Sequence, residues 1–169
     1  MNFPAKFVTM DAGLRCCGLS VWHDGRLRGA VLARNPLTRE RGLVAWHAMS
    51  RAAVKALAPF VVGPLEEYAF IGEQMVARRQ QGNYNDLLEV NGVLAAVGGL
   101  FNEAKSYIPE TWKGTIDGDV MVRRIPKKLD PYEAVILDAV ECPASLKHNV
   151  IDAVGLGLFV CGRLKGEPR

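Results

Sequence analysis

No C-x-x-C pair and no His/Cys metal-ligand spacing occurs anywhere in the 169 residues, although four cysteines are present (Cys16, Cys17, Cys142 and Cys161). Structural zinc sites and dithiol redox motifs are thereby excluded. Cys16 and Cys17 are adjacent and do not readily bridge each other, so all four read as reduced thiols of an intracellular, cytoplasmic protein. Long hydrophobic runs are missing too: charges or glycines break each one well short of the ~20 residues that cross a bilayer, so no membrane span is expected. The first residues carry only Lys6 ahead of Asp11, unlike a secretory signal. Low-complexity tracts, internal repeats and linkers are absent as well, and one domain over residues 1–169 is expected. Charge is poor in one-sided excess. The net +3 says little about partners on its own.

What the chain does have is a start of unusual shape. The apolar run Phe7-Val8-Thr9-Met10 ends in the single carboxylate Asp11; Gly13 and Arg15 follow, and Cys17-Gly18-Leu19-Ser20-Val21-Trp22 resumes the apolar alternation. This patterning predicts two adjacent strands with Asp11 at the end of the first, near the centre of a sheet. A carboxylate buried there costs several kcal/mol unless a charge compensates it, and a divalent cation does so well.

Further along, three strands are expected to open the fold, Ala5–Met10, Cys17–Trp22 and Leu27–Ala33, with Asp24-Gly25 as a tight hairpin turn. Helical spacing of Leu43, Trp46, Ala53, Leu57 and Phe60 predicts a helix from Gly42 to Phe60. Tyr68–Ile71 reads as a short strand that delivers Gly72-Glu73. A long helix from Asn85 to Ala104 follows, then a strand over Lys105–Ile108. Val120–Ile125 looks strand-like. Asp130 and Pro131 mark the start of a helix through Val140, and His148 to Arg163 forms a last apolar helix. Strands first, then strands alternating with helices, indicate an α/β domain with a mixed sheet.

Two further acids interrupt apolar settings as Asp11 does. Glu73 follows Tyr-Ala-Phe-Ile-Gly, and Asp152 lies between Val150-Ile151 and Ala153-Val154. Each has a plain structural explanation: Asp11 can cap a turn, Glu73 can sit at an edge, and Asp152 can answer the helix dipole. Together, acids at two strand ends and a helix start can converge on one cation. Oxygen ligands of this kind suit Mg²⁺ or Mn²⁺, and two such ions can drive in-line attack at a phosphodiester. His148 lies one helical turn before Asp152 and is a further ligand or acid/base candidate; His23 and His47 have no acidic company and read as structural or surface residues. Six basic residues fall between Lys105 and Lys128 (Lys105, Lys113, Arg123, Arg124, Lys127 and Lys128), and Arg78-Arg79 follows soon after Glu73. Basic clusters beside candidate metal carboxylates point to a phosphate-rich partner.

In series these segments resemble the RuvC-type Holliday junction resolvases of the RNase H-like superfamily. Thr9-Met10-Asp11-Ala12-Gly13-Leu14-Arg15 with Gly18 and Val21 is similar to that family's opening strand and Asp-x-Gly-x-Arg element. Phe70-Ile71-Gly72-Glu73-Gln74-Met75 resembles its second carboxylate segment, and Asn91-Gly92-Val93 an element of the helix that follows. Ile108-Pro109 with Trp112-Lys113 is similar to the segment after the fifth strand, where a basic residue faces DNA. Asn149-Val150-Ile151-Asp152-Ala153-Val154 resembles the last helix. The resemblance implies an RNase H-like fold with a mixed five-stranded sheet flanked by helices, and a homodimer that cuts four-way DNA junctions in pairs with two Mg²⁺ or Mn²⁺ ions per site. It carries over Asp11, Glu73 and Asp152 as metal ligands and Lys113 with Lys127 or Lys128 as phosphate contacts; Arg78 and Arg79 join these in holding DNA arms, and either His148 or Asn149 is left to serve a further, second-metal position. The implied products are 5′-phosphate and 3′-hydroxyl ends. The chain departs from the family where an acid or His three residues before the last Asp is replaced by Asn149. Its short length and its Trp- and Gly-containing middle are closer to a viral form. Alternative expectations are a nuclease for branched or flapped DNA in general and an actin-like ATP-binding domain, whose members also open on Asp-x-Gly.

Overall fold

The computed structural model describes residues 3–76, 84–114, 116 and 118–164. Three strands open the fold, β1 (Lys6–Asp11), β2 (Cys16–His23) and β3 (Arg26–Arg34). Asp24 (φ 50°) and Gly25 (φ 74°) both adopt the left-handed conformation, which is what a two-residue turn between right-twisted strands demands. Helix α1 (Gly42–Leu57), β4 (Ala69–Glu73), α2 (Tyr84–Gly98) and β5 (Glu103–Tyr107) follow. Among the described residues four α-helices follow: α3 (Pro109–Trp112), α4 (Gly118–Arg124), α5 (Pro131–Asp138) and α6 (Lys147–Val160). The sheet order is β3-β2-β1-β4-β5. The β1–β2 and β2–β3 pairs are antiparallel, whereas β1–β4 and β4–β5 are parallel.

Strand alternation assigns each side chain of the central strands to one of two layers. Val8 and Met10 of β1 and Phe70 of β4 pack with α1 and α2 around Met49, Leu57, Val93 and Val97. Phe7 of β1, with Ala69 and Ile71 of β4, packs on the opposite face with Trp112, Met121, Ile125 and the buried side of α6. By the same parity Asp11 and Glu73 emerge at the strand ends on the α6 side.

Several expected boundaries move. Helix α1 stops at Leu57, and Phe60 lies in the turn beyond it. Leu43, expected on its buried face, is 77% exposed, because Ala45, Met49, Ser50 and Ala53 form the face that meets the sheet. Helix α2 ends at Gly98 and leaves Ala104 to β5. Val120–Ile125 is not a strand: its β-branched residues fall within α4 and its end, where Met121 and Ile125, four apart, are buried on one face against α6. The start at Pro131 holds, with Asp130 accepting from the Glu133 backbone N–H and Glu133 answering at the Asp130 N–H. All four cysteines are free. Among the described residues no helix is long and apolar enough to cross a membrane.

Candidate active site

Asp11 and Glu73 are register partners at the carboxyl ends of adjacent parallel strands. The position is a consequence of sequence: each residue closes an apolar run that the sheet core absorbs, so the acid is delivered at the rim. Asp152 arrives from α6, which crosses the same face and contacts β1, β2 and β4. Two features hold α6 there. The Thr9 hydroxyl donates to the Ala153 carbonyl at 2.7 Å and shares a short hydrogen bond with Ser20, whose oxygen accepts from Trp22 Nε1 at 2.7 Å. Every member of this chain is buried and partnered, as polar groups in a core must be. Gly18, opposite Asp11 on β2, removes the remaining obstacle, since a Cβ there would sit 1.9 Å from the Asn149 carbonyl oxygen.

Lys113 binds the constellation together. Its Nζ lies 2.7 Å from Asp152 Oδ2 and 3.2 Å from Glu73 Oε2, and its side chain is only 13% exposed. Glu73 Oε2 also accepts from the indole Nε1 of Trp112 at 2.9 Å. Both donors therefore meet one oxygen of Glu73. Lys113 likewise takes one oxygen of Asp152, and the other, Oδ1, is buried with no hydrogen-bond partner.

The electrostatics follow from this crowding. Burial pushes the Asp11 carboxyl well above the usual carboxylate range, and the charges of Glu73 and Asp152 push it further, with Lys113 opposing. Burial also raises Glu73, against the pull of Lys113 and aided by Asp152. Burial would lower the Lys113 ammonium, but Glu73 and Asp152 more than reverse that and leave it above its ordinary value. Three acids thus crowd one largely buried site, with Lys113 between Glu73 and Asp152. Among the described residues no three His, Cys, Asp or Glu side chains form a ready-made metal cluster. The donor set nonetheless fits a hard cation: the pocket's acids offer only oxygen ligands, and a buried orphan oxygen on Asp152 lacks the positive partner that such an atom requires.

Neither a family model nor a curated protein matches the sequence. Solved structures do. RuvC of Thermus thermophilus in complex with a Holliday junction substrate is 19% identical, with a TM-score of 0.58 over 93% of this chain and 95% of that one. A second Thermus thermophilus RuvC structure gives 17% identity and a TM-score of 0.55, covering 93% and 96%. The yeast mitochondrial Holliday junction resolvase Ydc2 is 11% identical, with a TM-score of 0.53 over 96% of this chain and 83% of that one. The chain has the RuvC fold.

Within that RuvC-like fold, Asp11 and Glu73 stand side by side at neighbouring strand ends, and Lys113 ties Glu73 to Asp152 of α6. His148 is exposed on the first turn of α6, and none of its described contacts joins it to the three acids. Asn149, beside it, is half-buried and donates to the Cys16 thiol at 3.5 Å. Lys113 points inward at the acids rather than out to solvent. Lys127 and Lys128 are exposed in a short turn after α4, on the same layer as α6. Arg78 and Arg79 lie outside the described residues.

Two residues had no assigned task in the sequence. Trp112 is one, named in the sequence only beside Lys113 in the segment after the fifth strand. Asn91 is the other: its side chain clamps both the N–H and the C=O of Met75 at 3.2 and 2.9 Å, and so fixes the chain just after Glu73. Asn91 belongs to the Asn-Gly-Val element already noted in the sequence, but nothing there shows where its amide reaches.

Proposed function

We propose that this chain is a divalent-metal-dependent endonuclease that resolves four-way DNA junctions by paired cleavage across a homodimer. The observation that carries the reading is the convergence of Asp11, Glu73 and Asp152 on one largely buried site, with Asp152 Oδ1 left unpartnered, in a fold shared with proteins solved as junction resolvases. Asp11, Glu73 and Asp152 would together hold two Mg²⁺ or Mn²⁺ ions. Bound there, the ions would supply the polarisation of water and of the scissile phosphate that cleavage needs.

The protein's own groups do the rest. Lys113 bridges Glu73 and Asp152, offsets part of their charge, and would serve as a phosphate contact for bound DNA. His148, exposed on the first turn of α6 one turn before Asp152, would act as the supporting catalytic group. Asn149 contributes a neutral amide where the resemblance calls for an acid or His. Lys127, Lys128 and the Arg78-Arg79 pair hold DNA arms through phosphates, which sets position without reading sequence. The partner copy docks on α2, where Tyr84 and Leu88 are large, apolar and exposed.

A labelled four-way junction tests this directly. With Mg²⁺ the protein is expected to make paired, symmetric nicks; Asp11→Asn is expected to bind the junction and leave it uncut. Equal cleavage of flaps or plain duplex would replace junction resolution with general branched-DNA cleavage. Tight ATP binding without DNA affinity would favour the actin-like alternative. Undiminished nicking by Asp11→Asn would reject the site.

A further inference from the structure

We propose that Trp112 is a positioning residue for the cation site: its indole N–H pins Glu73 so that one carboxylate oxygen is committed and the other is presented to metal. The inference rests on the carboxylate-site reading above and extends it to a residue that touches no ion.

Four observations converge on Trp112. The residue is 2% exposed, yet it sits at the end of the short helix α3, a place where a large aromatic has no need to be interior. Its Nε1 donates to Glu73 Oε2 at 2.9 Å, so the ring's one polar atom is spent on a proposed ligand rather than on backbone. The neighbouring Lys113 Nζ lies 4.7 Å from the centre of the same ring while it bridges Glu73 and Asp152. Finally, Trp112 is wedged against α6 at Gly155, three residues beyond Asp152: a Cβ there would meet the ring at 2.8 Å. One side chain therefore touches the strand end that carries Glu73, the cation Lys113 and the helix that carries Asp152.

The physical consequence concerns freedom. A glutamate on a strand end has three rotatable side-chain torsions, and a carboxylate left to wander must be ordered at the moment a cation binds. A buried N–H fixed by a packed ring removes that cost in advance, because the indole is held from both sides and cannot follow the carboxylate. It also leaves Glu73 in the same place when Lys113 lets go. Lys113 alone does not do this, since its ammonium is shared between Glu73 and Asp152 and sits at the end of a flexible side chain. The ring face further offers the released ammonium a resting surface.

Two substitutions separate this role from simple packing. Trp112→Phe removes the N–H together with part of the ring. Site-specific replacement of Trp112 by β-(3-benzothienyl)alanine removes only the N–H and keeps the shape, so it remains informative even where Trp112→Phe fails to fold. Binding of Mn²⁺ is read without DNA, from loss of the free-ion electron paramagnetic resonance signal, on wild type, both variants and Asp11→Asn. The proposal expects the benzothienyl variant to bind Mn²⁺ about tenfold more weakly than wild type, the effect of losing one hydrogen bond to a charged group. Wild-type affinity in that variant would overturn the positioning role while leaving the carboxylate site standing. No Mn²⁺ binding by wild type, or equal binding by Asp11→Asn, would overturn the site reading and this inference with it.

Discussion

Asp11 is a residue whose ionised form the fold makes uncomfortable. Its carboxyl stands well above the 3.8 of an ordinary aspartate because it is buried and because Glu73 and Asp152 face it. Between those two values the folded chain keeps a proton that the unfolded chain has lost, so stability falls as pH rises through that window and stays reduced above it. Each unit of upward shift corresponds to about 1.4 kcal/mol. In metal-free buffer Asp11→Asn should therefore unfold at a higher temperature than wild type near neutral pH, with the advantage shrinking toward pH ~4; thermal unfolding across that pH range checks it. A cluster of buried acids destabilises the protein that carries it. Lys113 is the partial remedy, as a cation supplied by the chain itself. Its inward turn was not legible in the sequence, since a lysine in a basic stretch reads as solvated until the fold puts two carboxylates within reach of it.

At the scale of elements, the carboxylates were legible because β-sheet alternation and termination are local: an apolar run that stops at one acid marks the end of a buried strand. The hairpin at Asp24-Gly25 and the cap at Asp130 were legible for the same reason. What was not legible depended on tertiary contact. Val120 to Ile125 is rich in β-branched residues, yet it is helical because burial of Met121 and Ile125 against α6 outweighs local propensity. The docking of α6 itself hangs on the Thr9–Ser20–Trp22 chain and on the bare backbone at Gly18, and none of these residues advertises a partner more than a hundred positions away. Gly18→Ala should cost about 1–3 kcal/mol of stability by forcing α6 off β2. Because Asp152 moves with α6, junction cleavage should fall far more steeply than stability. Denaturant unfolding and a cleavage assay on the same preparation measure both.

For the whole molecule, the layers divide the labour. The α1–α2 side of the sheet carries exposed Leu43, Val44, Val54 and Leu88, and the α6 side carries the acids together with the exposed Lys127 and Lys128. Two copies joined through α2 would place two pockets on one assembly, which paired nicking of a twofold-symmetric junction requires. Leu88, exposed midway along the first turns of α2, is the residue on which that contact should turn. Leu88→Asp is expected to shift the protein from dimer to monomer in sedimentation and to convert paired cleavage into isolated nicks, with the carboxylate pocket intact.

Anomalous scattering from Mn²⁺ in crystals of the protein bears most immediately on whether this pocket is a cation site. The account predicts Mn²⁺ at roughly 2.1–2.2 Å from carboxylate oxygens of Asp11, Glu73 and Asp152, with Asp152 Oδ1 ligated and the Lys113 ammonium withdrawn from between Glu73 and Asp152. Crystals soaked in Mn²⁺ that show no anomalous peak there, with Lys113 still bridging the two acids, would contradict it.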